Sequence, residues 1–121
     1  MSTLKANNIQ EATSGGATYY LNKAWVNFDG TGTVSIRDDG NISSITDQGT
    51  AKYQSTFSNN MSDINYSMST WAGTNASSNY YRMVQNQAST TFQTSNVRIQ
   101  TPHATTGSML DAQIVCLNFI R

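Results

Sequence analysis

The chain has 121 residues, the size of one ordinary domain, and its seven acidic and seven basic side chains leave a net charge of zero. Ser, Thr, Asn and Gln supply 52 of these residues, while Asp, Glu, Lys and Arg supply only 12%. No window concentrates the basic side chains, which argues against a nucleic-acid partner, and the aromatic residues among few charges argue against intrinsic disorder. Since strong helix formers are scarce, the composition predicts an all-β fold.

The first 22 residues are too polar to fold alone, because their large aliphatic side chains are few and a Gly-Gly pair interrupts them. We predict that residues 1–22 form an extended arm used for docking or subunit exchange. In the predicted strand, Trp25 lies on the opposite face from the apolar residues Val26 and Phe28. This position favours a contact outside the core. The residues expected to contact a neighbouring subunit are Leu4, Ile9, Tyr19, Tyr20 and Trp25.

Two hairpins are predicted after the arm. Residues 24–28 and 33–37 alternate in polarity on either side of a glycine-containing loop, and residues 42–46 and 52–57 repeat the pattern around Asp47-Gln48-Gly49. Asp38-Asp39-Gly40-Asn41 is expected to end the second strand as a turn. The alternative is a calcium loop, but the spaced acidic ladder and the terminal Glu of such loops are missing.

Further short strands follow, and turn signals separate them. They are expected at residues 63–71, where Ile64, Tyr66 and Met68 form one stripe, and at residues 80–87, 90–94 and 97–99. Residues 109–120 are apolar at both parities, as in a strand covered on both faces, so this strand is expected to be central. The succession of short strands separated by turn signals predicts an antiparallel, jelly-roll-like β-sandwich over residues 23–121.

Few residues could perform catalysis or bind a metal. His103 has no second His to form a relay or a metal site, and its expected role is that of a loop residue. The carboxylates mostly lie beside Gly or Asn, where Asp serves turn chemistry. Cys116 lies in an apolar run and is expected to be a buried thiol. We therefore predict no enzyme, no metal and no cofactor.

A polar loop at residues 72–79 is flanked by aromatic residues, an arrangement that suits carbohydrate binding. The hypothesis assigns glycan binding to Trp71, Asn75, Asn79, Tyr80 and Tyr81. The alternative is that these aromatic side chains belong to the core or to a subunit contact, where aromatic residues bury large areas.

Two stretches resemble a module found in tail-fibre and other structural proteins of tailed bacteriophages. One is the motif at residues 23–57, which contains Trp-Val-Asn-Phe-Asp-Gly-Thr-Gly-Thr, and the other is the opening Met-Ser-Thr-Leu-Lys-Ala-Asn-Asn-Ile-Gln. The resemblance implies a virion surface component, usually trimeric, of the capsid-decoration or tail-fibre type. The chain has no shaft repeats and no large attachment domain, so a short particle-attached protein suits its length better than a long fibre.

The resemblance also implies where the protein works and what it contacts. The expected location is the phage particle surface, after synthesis in the host cytoplasm. The expected partners are sister copies in a homotrimer and a virion protein such as the major capsid or tail protein. The alternative function is a receptor-binding tip that contacts host surface glycans. No apolar stretch approaches the roughly 20 residues that span a bilayer, so we expect no membrane insertion.

Overall fold

The computed structural model describes residues 2–3, 9–10, 15–74 and 82–121. These residues form strands and connections, with no helix and hence no helix able to cross a membrane. The strands are β1 (Ile9–Gln10), β2 (Thr18–Tyr19), β3 (Asn22–Asp29), β4 (Ser35–Gly40), β5 (Ile42–Asp47), β6 (Lys52–Phe57), β7 (Ser67–Gly73), β8 (Gln85–Asn86), β9 (Asn96–Gln100) and β10 (Ile114–Ile120).

Two four-stranded antiparallel sheets pack face to face. The first sheet has the strand order β4-β3-β10-β7 and the second has the order β5-β6-β9-β8. The predicted antiparallel β-sandwich is thereby confirmed. β10 lies between β3 and β7, which also confirms that the C-terminal strand is central.

The core lies between the two sheets and is rich in aromatic residues. β3, β6 and β10 alternate between buried and less buried positions, as strands with one face in a core do. Phe57 and Phe119 meet edge to face with ring centroids 5.1 Å apart, and Phe28 and Tyr53 do so at 5.2 Å. Each such pair stabilises the fold by about 0.5–1.5 kcal/mol in addition to the contribution of the apolar area that it buries.

Both predicted hairpins are present. In the first, Phe28 pairs with Ile36, and the loop is closed by the Asp29 carboxylate, which accepts a hydrogen bond from the Thr31 N–H at 2.9 Å. In the second, Ile45 pairs with Ser55. Gly49 lies at φ +113°, which a side chain would disfavour.

The chain changes sheets at Asn41, later than the sequence suggested. Asp38, Asp39 and Gly40 lie within β4, so the turn expected over all four residues is limited to Asn41 at φ 60°. Asn tolerates this left-handed conformation better than most residues. Its amide donates hydrogen bonds to the carbonyls of Lys23 and Asn59 at 3.0 and 3.1 Å, which ties the crossing to both neighbouring segments.

Three local strand predictions were wrong. β7 begins at Ser67, later than residue 63, and continues past Trp71, while Ile64 precedes it with 54% of its surface exposed. Residues 90–94 form no strand, because the Asn86 side chain donates to the Thr90 carbonyl and closes a turn. Of residues 80–87, the structure describes 82–87 and only Gln85–Asn86 is a strand.

Within the predicted arm, the structure describes residues 2–3, 9–10 and 15–22. β1 pairs with β2 in a two-stranded antiparallel sheet in which Ile9 lies opposite Tyr19. The first sheet begins at Asn22, and the preceding Leu21 carbonyl accepts a hydrogen bond from the N–H of Arg121 at 3.3 Å. An isolated two-stranded ribbon is marginally stable in water, so docking of the arm stays a reasonable prediction.

Candidate binding surface

Tyr53 and Asp111 form a polar pair in which Tyr53 is buried and Asp111 is partly buried. Tyr53 is 1% exposed, and its hydroxyl lies 2.8 Å from the Gly30 carbonyl and 3.0 Å from Asp111 Oδ1. Burial, followed by the neighbouring carboxylate, raises the pKa of Tyr53 well above its usual value. The same Asp111 oxygen accepts the Ala51 N–H at 2.7 Å. This pair joins three connections of the sandwich.

His103 is engaged within its own loop. Its Nδ1 atom accepts hydrogen bonds from the N–H groups of Thr105 and Thr106 at 3.2 and 3.3 Å. Within the part of the chain that the structure describes, no three His, Cys, Asp or Glu side chains lie close enough together to bind a metal ion. The ring therefore stabilises a turn.

The outer face of the first sheet carries the two tryptophans. Trp25 on β3 is 38% exposed and Trp71 on β7 is 57% exposed, although most large apolar side chains lie in the core. Both project away from the core because their neighbours of opposite parity face inward. Between them lies an open groove of about 610 Å³, here called the tryptophan groove, whose outward-facing side chains are Asn22, Trp25, Asn27, Ser69, Trp71, Cys116 and Asn118.

Two glycines fix the positions of the indoles. Gly40 lies opposite Trp25 on the adjacent strand, and a Cβ atom at Gly40 would overlap the Trp25 indole. Gly73 lies two residues after Trp71 on the same face, and a Cβ atom there would overlap the outer end of the Trp71 ring. Each ring therefore lies flat over a glycine backbone, and the rings are held at opposite sides of the groove.

β10 supplies the floor of the groove. Cys116 lies opposite Asn27 on one side and Trp71 on the other, and Asn118 lies opposite Trp25 and Ser69. Cys116 is a free, half-buried thiol on the outer face, so the expectation that it belongs to the core was wrong. The residues that line the groove carry amides, hydroxyls, a thiol and indoles, and none is charged.

An ion pair lies at one end of the groove. Arg37 Nη2 lies 3.1 Å from Asp29 Oδ2 and 2.6 Å from the Gln113 carbonyl, and Nη1 donates to the Asn27 side chain at 3.2 Å. Hydrogen bonds from Thr31, with a smaller effect of Arg37, lower the pKa of Asp29. The described residues that line the groove are uncharged, and its border carries this ion pair and Asp38, which lies opposite Asn27.

A smaller polar pocket lies near the C-terminus. Its volume is about 270 Å³, and its lining includes Lys23, Asn41 and Arg121. Arg121 forms an ion pair with Asp63 at 2.6 Å, which lowers the pKa of Asp63. Both side chains of this pair are partly exposed, so the contact serves mainly to hold the C-terminus against the segment before β7.

The structure brings together two of the residues that were assigned to different roles. Trp71, predicted for glycan binding, and Trp25, predicted for a subunit contact, line the same groove. Tyr20 is 64% exposed and lies beside Ser67 at the start of β7. Leu4, Asn75, Asn79, Tyr80 and Tyr81 lie outside the described residues, and Ile9 and Tyr19 are described only as members of β1 and β2.

Five outward-facing groove residues were missed by the sequence predictions: Asn22, Asn27, Ser69, Cys116 and Asn118. The alternation of β3 already assigned Asn27 to the face of Trp25, but the partners on β10 depend on strand order. Comparison of the chain with protein-family models, with curated proteins and with solved structures finds no match. The interpretation of the groove therefore depends on its own chemistry.

Proposed function

We propose that the protein is a non-enzymatic structural protein of a bacteriophage virion, and that it acts on the particle surface as a homo-oligomer. The observation that carries the proposal is the neutral tryptophan groove, with Trp25 and Trp71 exposed on one face of the sandwich. The sister copies, or a neighbouring capsid or tail protein, cover this face in the assembled particle.

The composition of the groove suits a protein contact. Interface centres are depleted in charged side chains and enriched in Trp, Tyr and Met, and the groove has two indoles and no charge. Exposed aromatic surface on a small domain carries a solvation cost of about 25 cal/mol per Å² that association removes. Assembly would therefore stabilise a domain whose own core is small.

The virion assignment is supported by the resemblance of residues 1–10 and 23–57 to structural proteins of tailed phages. That resemblance implies three copies per assembly and a position of the capsid-decoration or tail-fibre type. The arm at residues 1–22 suits docking on a neighbour, because its short ribbon is marginal alone.

The absence of an enzymatic role is a proposal that follows from how the titratable groups are used. Tyr53 and the partly buried Asp111 are hydrogen-bonded to each other, and Asp29 with Arg37 and Asp63 with Arg121 form partly exposed ion pairs. A general acid or base needs an accessible group within reach of a substrate. The accessible groove offers amides, hydroxyls, indoles and a thiol without a neighbouring base.

Three measurements test this proposal. Light scattering should give the purified chain a mass of several copies, and antibodies against it should label the surface of purified phage particles in electron micrographs. Deletion of residues 1–22 should weaken particle attachment. A solitary monomer at high concentration, or particles that bind no antibody, would overturn the proposal.

A second candidate function is binding of host surface glycans, and the same groove favours it. Indole rings stack on the C–H faces of sugars, and the Asn and Ser side chains of the groove can bond to hydroxyls. Titration with neutral oligosaccharides should then quench tryptophan fluorescence in the wild type. Fluorescence that neutral oligosaccharides leave unchanged, together with intact self-association, would eliminate this candidate.

A further inference from the structure

β7 forms an edge of the first sheet and has a backbone partner on one side only. Its seven residues pair in continuous register with β10, from Ser67 opposite Ile120 to Gly73 opposite Ile114. Among the described strands none pairs with its other side. Ser67, Ser69, Thr70 and Trp71 are exposed, so the unpaired backbone groups of this edge are accessible.

The opposite edge of the same sheet is protected, whereas β7 is not. β4 carries Arg37, Asp38 and Asp39 in succession, and a bulge interrupts its register with β3. Charged side chains and bulges are the means by which natural edge strands avoid pairing with another chain. β7 has no charged residue, no proline and no bulge.

We propose that the β7 edge pairs antiparallel with β7 of a second copy about a two-fold axis at Thr70. This inference rests on the proposed homo-oligomer and adds a second contact, at the sheet edge, to the one proposed at the tryptophan groove. Full overlap of the seven residues places Thr70 opposite Thr70 of the second copy and Trp71 opposite Ser69 of the second copy. The two first sheets become one sheet of eight strands.

The side chains of β7 suit this register. Opposed Thr residues favour each other by hydrogen bonding, and like charges, which would destabilise the pair, are missing. Trp71 meets the small Ser69 of the second copy directly, and the two Trp71 rings become diagonal neighbours about 7–8 Å apart at Cα. The tryptophan grooves of both copies thereby meet at the two-fold axis.

A two-fold contact also limits the number of copies. An isologous contact joins copies in pairs, so the assembly contains an even number of them. The contact alone gives a dimer, and combined with a threefold contact it gives a hexamer. A simple trimer is incompatible with it.

Disulfide formation tests the register directly. In a Cys116→Ser background, Thr70→Cys would place two thiols on strands whose Cα atoms are about 4.5–5.5 Å apart, within the range of a disulfide. The control is Ser67→Cys in the same background, where the two thiols would lie about 20 Å apart along the paired strands. We expect the cross-linked fraction under mild oxidation to be about tenfold higher for the Thr70→Cys protein.

Mass measurement on Thr70→Lys provides a second readout, because a lysine at the centre of an edge prevents pairing. A wild type with an even number of copies, halved by Thr70→Lys, together with the selective cross-link, is the expected result. If the protein is an oligomer but Thr70→Cys does not cross-link selectively, or if the protein is a simple trimer, this inference is overturned. Either result leaves the proposed homo-oligomer unaffected. A monomeric wild type overturns both.

Discussion

The outer faces of the two sheets differ although the same strand alternation produces both. On the second sheet, Lys52 and Gln54 point outward from β6, and Arg98 Nε donates a hydrogen bond to Gln54 Oε1 at 2.9 Å. On the first sheet, the corresponding positions are occupied by Trp25 and Trp71. The outer face of the second sheet carries charged and amide groups at these positions, whereas the outer face of the first sheet combines amides and hydroxyls with two indoles, which water solvates poorly.

This difference shows that core formation does not require the exposed tryptophans. The core residues of both sheets lie between the layers, and each outer face could be polar without loss of burial there. Indoles on one outer face are therefore best explained by a contact outside the chain. The outer face of the second sheet serves as the comparison for the outer face of the first.

The largest expected effect is on association. Replacing both Trp25 and Trp71 with Ala should weaken self-association by at least about 30-fold, since truncation of one interface Trp costs about 2 kcal/mol. Sedimentation over a range of concentrations measures this change. Gln54→Ala with Thr56→Ala on the second sheet is the matched control and should leave association unchanged. Equal effects of the two double variants would contradict the distinction between the faces.

Tyr53→Phe should lower stability and leave association unchanged. Its hydroxyl lies within hydrogen-bonding distance of the Gly30 carbonyl and Asp111, and loss of a buried hydrogen bond costs about 1–2 kcal/mol. Urea denaturation of the variant and the wild type measures the free energy of unfolding. An unaltered free energy of unfolding would show that this interior pair does not hold the connections together.

A smaller effect is expected from Gly40→Ala. The new methyl group would overlap the Trp25 indole, so the ring must leave its position over β4, at a cost of about 1 kcal/mol. The variant should shift the tryptophan emission and weaken association. Ser44→Ala on the exposed part of β5 is the control. Emission identical to that of the wild type would mean that Gly40 does not position the ring.

The smallest effect is a dependence of stability on pH. The pKa of Asp29 is lowered in the folded state, so the folded chain binds its proton less readily than the unfolded chain does. The resulting stabilisation is present above the unfolded value near pH 4 and is lost as the pH falls through the lower folded value. Thermal unfolding of Asp29→Asn between pH 2 and pH 7 should show a weaker pH dependence than the wild type. Parallel curves would contradict a lowering of the pKa of Asp29 by the hydrogen bonds from Thr31 and the smaller effect of Arg37.

The sequence predicted the elements that depend on alternation. Residues 24–28 and 52–57 have one apolar face each, and glycine-containing loops limit how these strands pair with their neighbours. Both predicted hairpins are confirmed by the structure. Elsewhere, the residue types were compatible with either a turn or a strand. Asp38 and Asp39 suggested a turn but lie in an edge strand, where charge has a protective use.

The composition of the site was less predictable because it depends on strand order. Trp25 and Trp71 are 46 positions apart in the chain, and only the insertion of β10 between β3 and β7 brings them to one groove. The face of the strand on which Cys116 lies was also unpredictable, because odd-numbered and even-numbered positions of residues 114–120 are both mostly apolar. A pattern without alternation does not indicate which side faces the core.

The most direct test of the account uses the fact that Trp25 and Trp71 are the only tryptophans in the chain. Their emission therefore reports on the groove alone. As the protein concentration rises, we predict that the emission moves to shorter wavelength and that quenching by acrylamide falls in step with the association measured by light scattering. Emission and quenching that stay constant while the protein associates would contradict the claim that the first sheet's outer face is the contact surface.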